Sequence, residues 1–179
     1  AISKLIPASQ LNATYLYETV QWANGYTDEA LDAYTSPSVK TFLAARSAAQ
    51  RYLDSLFNAD GSAKEDVNIA ANKQTADDYA DALKNSGLVS KDSVEESKVN
   101  LRTIQALAKK YSMTENGGKY TDESWTAFEN ARKAAVDYAA NYQVSENMSS
   151  DDTKQYASRT RAFLSAAYGL TPVSGDITV

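Results

Sequence analysis

With no Gly-x-Ser-x-Gly elbow and no Ser-x-x-Lys in the chain, the side chains left to consider for chemistry are carboxylates and aromatic rings. Among its 179 residues there is no histidine and no cysteine. That removes the commonest general base and transition-metal ligand, together with thiolate nucleophiles and disulfides. Acid pairs such as Asp77-Asp78 and Asp151-Asp152 occur. A glycosidase needs two carboxylates held across a cleft, whereas adjacent acids in a first helical turn are accounted for by the helix dipole. Gly117-Gly118-Lys119 lacks the upstream glycine of a phosphate-binding loop. Asp60-Gly61 and Asp66 are too sparse for a calcium loop. The expectation is a non-catalytic protein with no cofactor and no metal.

The rings are more conspicuous, with 12 Tyr and 2 Trp. A tyrosine or tryptophan can stack on the apolar face of a sugar while its polar atom makes a hydrogen bond. Trp22 and Tyr26 are four residues apart, and Glu18 lies four before Trp22. On a helix the three share a face, which gives a small aromatic platform with a carboxylate to accept sugar hydroxyls. The same spacing also suits a core, because Leu107 and Tyr111 hold the matching places later in the chain. Tyr17 and Tyr168 fall off the main apolar stripes and are further candidates for exposed ligand contacts. Arg46 and Arg132 admit two readings. They could grip an anionic glycan, or each could lay its stem on a helix edge and pair with a carboxylate of a neighbouring helix.

These residues sit in a chain that repeats itself. Tyr34 to Tyr52 and Tyr120 to Tyr138 align at a constant offset of 86 residues, with 9 of 19 positions identical and no gap. Duplication of this kind fixes architecture. Few Gly and Pro and an abundance of Ala, Lys, Glu, Asp, Gln and Leu make both copies helical.

Capping and periodicity place six helices. The first spans about 10–25, opens at Ser9 and presents Leu11, Tyr15, Thr19, Trp22 and Tyr26 along one stripe. The second opens at Thr35 or Ser36 and runs through Val39, Phe42, Ala49, Tyr52, Leu53 and Leu56. Ser62-Ala63-Lys64-Glu65 has capping-box form, and Thr75 to Asp78 offers a second start for the third helix, which Gly87 stops. In the second copy, Ser93 to Glu96 is a capping box ahead of Val99, Leu101, Ile104, Leu107, Ala108 and Tyr111. Thr121 caps a helix with Trp125, Phe128, Ala135, Ala139 and Tyr142 on its seam. Ser149 to Asp152 opens the last helix, with Tyr156, Thr160, Phe163, Ala167 and Leu170, and Thr171-Pro172 ends it. The expected fold is all-α, two tandem antiparallel three-helix bundles over 1–90 and 91–172, with 173–179 a tail or linker.

A net charge of −5 with scattered Lys and Arg argues against a nucleic-acid partner. The apolar runs are too short to insert in a membrane. Ala1 to Pro7 is too short for a signal peptide, so any export signal is expected to have been removed or to lie outside this sequence.

Tyr120-Thr121-x-x-Ser124-Trp125-x-x-Phe128-x-x-Ala131, the alanine-rich helix, the polar loop and the closing Phe163-x-x-Ala166-x-x-Gly169-Leu170 resemble the FIVAR ("found in various architectures") domain. The resemblance covers about 95–170 well and 11–88 more weakly. In the first copy Val39 stands where the family has Trp, and the loop before the third helix is longer. Arg46 and Arg132 stand where the family more often has Ala or an aliphatic residue. The resemblance implies three-helix modules of Gram-positive extracellular proteins, found in tandem in adhesins and beside carbohydrate-active enzymes. It implies an extracellular, secreted or wall-attached, monomeric module without catalysis. Its expected partners are a glycan or polysaccharide, host matrix, or neighbouring modules of the same polypeptide. A structural spacer is the alternative expectation.

Overall fold

The computed structural model describes residues 12–173. Among them are seven α-helices and no strands, only two isolated bridges. The helices are α1 (Thr14–Asn24), α2 (Asp28–Leu31), α3 (Ser36–Leu56), α4 (Lys73–Asn85), α5 (Lys91–Lys110), α6 (Asp122–Asn141) and α7 (Ser150–Tyr168). The protein is all-α. No described helix is long and apolar enough to cross a membrane. The chain divides into two compact units between Leu88 and Val89. Ser9 and Leu11 lie outside the described residues.

In the first unit α1, α3 and α4 each pack on the other two. α1 buries Leu16, Thr19, Val20 and Ala23, a three-four spacing that turns one narrow face inward. This corrects the expected stripe, because Trp22 lies off that face and Tyr15 and Tyr26 only flank the core. α3 brings Phe42, Ala49 and Leu53, and α4 brings Ala76, Ala80 and Leu83. Each large side chain so buried contributes about 1.5–3 kcal/mol. Thr35 is the N-cap of α3, with extended backbone (φ −69°, ψ 142°), which puts Pro37 in the first turn.

Between α3 and α4 the capping-box reading of Ser62 fails. Phe57 bridges Ala63 across a tight turn in which Gly61 takes φ 83°. Asp60 holds the turn by accepting from the Ser62 amide at 2.9 Å and the Ser62 hydroxyl at 2.7 Å. A local Asx turn outcompeted the helix start. α4 begins at Lys73 behind Asn72, slightly ahead of the Thr75 start.

In the second unit α5, α6 and α7 likewise each pack on the other two. α7 follows the expected seam closely: Tyr156, Thr160, Phe163 and Ala167 are buried, and Leu170 packs against them. Ser149 and Asp152 form a reciprocal capping box at its start. The helix stops at Gly169, two residues before the expected Thr171-Pro172. That pair instead runs back along the start of α6, where Pro172 bridges Tyr120, Thr121 N donates to Thr171 O at 2.9 Å and Val173 N donates to Lys119 O at 2.9 Å. α5 starts behind Ser90, not Ser93: the Ser90 hydroxyl accepts from Ser93 N at 3.1 Å. Two seam assignments are also corrected. Val99 is exposed, and Tyr142 is exposed while Tyr138 takes the buried place on α6.

Candidate functional site

The aromatic cluster of the first unit is assembled from two helices and the loop between them. Phe42 on α3 is its buried centre. Tyr26, just past the end of α1, meets Phe42 edge-on at 5.3 Å between ring centroids and Tyr34 at 6.3 Å. Trp22 leans on both, 5.5 Å from Tyr26 and 6.0 Å from Phe42, with its ring near perpendicular to each. Edge-on contacts of this kind anchor the indole without covering it. Trp22 remains 45 % exposed. Glu18 is exposed one turn earlier on α1, where an i, i+4 pair stands about 5–6 Å apart at Cβ.

Trp22 and Tyr26 therefore come together, with Glu18 one turn before Trp22 on α1. Tyr17 does not join them. Tyr17 is exposed, but five residues before Trp22 it points about 140° around the helix. Tyr168 is 81 % exposed and belongs to the second unit. Tyr142 is an exposed ring that sequence reasoning counted as core. It stacks on Tyr138 at 4.4 Å, and its carbonyl accepts the Tyr156 hydroxyl.

The second unit builds the same cluster with the indole moved. Tyr111 meets Phe128 edge-on at 5.7 Å, as Tyr26 meets Phe42. Here, however, the indole is Trp125, from α6, 5.4 Å from Phe128 and stacked on Tyr120. Trp22 with Val39 in one unit thus answers to Leu107 with Trp125 in the other. Trp125 is half-buried, so the more open indole is that of the first unit.

The matched arginines do different things. Arg46 donates through one guanidinium nitrogen to Ala23 O and Tyr26 O, both at 3.4 Å, and lies over the Phe42 ring. It ties α3 to the backbone at the end of α1 and the turn that follows, where Ala23 O also accepts from Tyr26 N at 3.2 Å. Arg132 pairs at 2.8 Å with Glu129 on its own helix. Neither takes a carboxylate from a neighbouring helix, which corrects that reading, and both guanidinium groups are engaged within the chain. The divergence has a local cause: Glu129 stands where the first copy has Leu43.

The acid pairs are engaged locally. Asp77 pairs with Lys73 and Asp78 accepts from Gln74 Nε2 at 2.9 Å, each one turn back on α4 and beyond its first turn. Asp151 and Asp152 do lie in the first turn of α7. Asp152 accepts from the Ser149 hydroxyl at 2.7 Å and from Tyr138 at 2.9 Å, and the Ser149 bond leads in holding its carboxyl below the usual carboxylate range. Burial, then the Asp152 contact, pushes the Tyr138 phenol well up. Among the described residues no three Asp or Glu side chains converge on a metal position.

No protein-family model, curated protein or solved structure matches this chain.

Proposed function

We propose that the chain is a tandem pair of FIVAR-like three-helix bundles serving as a non-catalytic, extracellular binding module of a bacterial surface or secreted protein. Its ligand is a glycan or polysaccharide, held at the first unit by Trp22, Tyr26 and Glu18. The observation that carries this reading is Trp22: an indole anchored edge-on by two rings, 45 % exposed, with a carboxylate one turn away. A fixed ring loses little entropy on binding. One such platform binds weakly, and copies on one polypeptide would add avidity.

A polysaccharide pull-down tests it. Trp22→Ala should abolish retention while circular dichroism stays unchanged, and Tyr17→Ala should leave retention intact. Equal retention by wild type and Trp22→Ala would remove the platform from consideration.

A spacer is the second reading. It is favoured by the ties that stiffen each unit, Tyr52 to Asn72 at 3.1 Å and Tyr138 to Asp152 at 2.9 Å, both at the start of a third helix.

A further inference from the structure

The charge around the Trp22 platform narrows the ligand class, on the premise that the platform binds carbohydrate. From residue 12 to residue 39 there is no Lys or Arg, while Glu18, Asp28, Glu29 and Asp32 all fall in that stretch. α1 itself carries Glu18 as its one charged residue. The cation packed against the ring cluster is Arg46, and Lys84 of α4 lies over Tyr15, three residues before Glu18 on α1. The Arg46 guanidinium is turned inward onto the carbonyls of Ala23 and Tyr26 and over Phe42. Glu18 forms no ion pair or hydrogen bond among the described residues.

An open indole beside an unneutralised carboxylate attracts positive charge twice. The ring face has a negative quadrupole, and tryptophan is the best of the aromatic cation acceptors. The carboxylate adds a direct Coulomb attraction. A uronic-acid or sulfated saccharide meets the same field as repulsion, which is discrimination by an unfavourable contact. A neutral sugar can stack on the ring but leaves Glu18 with hydroxyl donors only.

We propose that the platform of Trp22, Tyr26 and Glu18 selects a saccharide bearing free ammonium groups, an amino-sugar oligomer, over its N-acetylated and acidic counterparts.

The test is titration calorimetry at low salt, at a pH where the amines are protonated, with three probes of equal length. These are a fully deacetylated glucosamine hexamer, an N-acetylglucosamine hexamer and a galacturonate hexamer. The deacetylated hexamer should bind about fivefold tighter than the acetylated one, and the galacturonate should be weakest. Glu18→Gln should erase most of that preference, and Trp22→Ala should abolish binding of both glucosamine probes. Glu96→Gln, which removes an equal charge from an exposed position of the second unit, should leave the preference unchanged. Equal affinity for the two glucosamine probes, or an equal effect of Glu96→Gln, overturns the inference while the carbohydrate reading stands. No heat with any of the three probes, together with no retention on polysaccharide, overturns both.

Discussion

The Tyr138 hydroxyl donates to Asp152 Oδ1 at 2.9 Å, which fastens the end of α6 to the first turn of α7. Asp152 is at that moment completing the capping box with Ser149. One carboxylate therefore serves a helix start and a helix-helix tie. In the first unit Tyr52, the repeat equivalent of Tyr138, donates to Asn72, the residue that precedes α4, at 3.1 Å. The duplicated tyrosine keeps its task although its acceptor changes from a carboxylate to an amide.

Tyr138→Phe should destabilise the second unit by about 1.5–3 kcal/mol, the range for a hydrogen bond to a charged group. Tyr52→Phe should cost the first unit about 0.5–1.5 kcal/mol, because its acceptor is neutral. Each unit holds one tryptophan, Trp22 or Trp125, so urea unfolding of single-tryptophan variants reads the units separately. Equal losses in the two units would contradict the assignment.

Asp152, held down chiefly by its Ser149 bond, and Tyr138, raised chiefly by burial, make stability depend on pH at both ends. The folded Asp152 carboxyl is held below its ordinary value of 3.8, so its contribution is present above that value. It is lost as pH falls through the lower folded value. The folded Tyr138 phenol is raised above its ordinary value of 10.0. Its contribution is therefore present below pH 10 and declines as the unfolded phenol ionises above it. Asp152→Asn should flatten the acid limb of a stability-pH curve read at Trp125, and Tyr138→Phe the alkaline limb. An unchanged acid limb in Asp152→Asn would refute the first claim.

Arg46 and Arg132 should separate on mutation despite their shared position in the repeat. Arg46→Ala removes the donor to Ala23 O and Tyr26 O and the guanidinium that lies over Phe42. A loss of about 1–2 kcal/mol from the first unit is expected. Arg132→Ala removes an i, i+3 ion pair and a guanidinium whose Nε is buried without an acceptor. Its cost should be under about 1 kcal/mol. Urea midpoints of the two units check this, and a larger loss from Arg132→Ala would refute it.

The displaced indole gives a further check. Val39→Trp in the first unit imitates Trp125 but adds bulk beside Phe42, and should cost about 1–3 kcal/mol. Combined with Trp22→Leu, it reproduces the arrangement of the second unit, and the double variant should recover most of that loss. Additive penalties would show that Trp22 and Val39 do not share one space.

Much of this fold was legible because helix signals are local. The helix start at Ser149, the cap at Thr121 and the three-four spacing of α7 each specify structure within a few residues. The misreadings share a different cause. In α1 the ring spacing points to one stripe as core, while Leu16, Val20 and Ala23 hold the core and leave Trp22 at the rim. In α5, Val99 is apolar but lies about 140° from Val94 and so faces water. At Ser62, a helix-start pattern met the Gly61 turn, whose positive φ decided the local conformation. The candidate site was legible as a spacing of three residues. Which face of α1 turns outward depends on partners in α3 and α4, and no local pattern carries that.

The central claim is that the open face of Trp22 is a binding surface. A 15N-HSQC titration of the full chain with the glucosamine hexamer tests it most directly. Shifts that saturate and are largest at the Trp22 indole N–H and the Glu18 and Tyr26 amides, with the Trp125 indole N–H unmoved, are the predicted result. Shifts spread over both units, or none at Trp22, would contradict it.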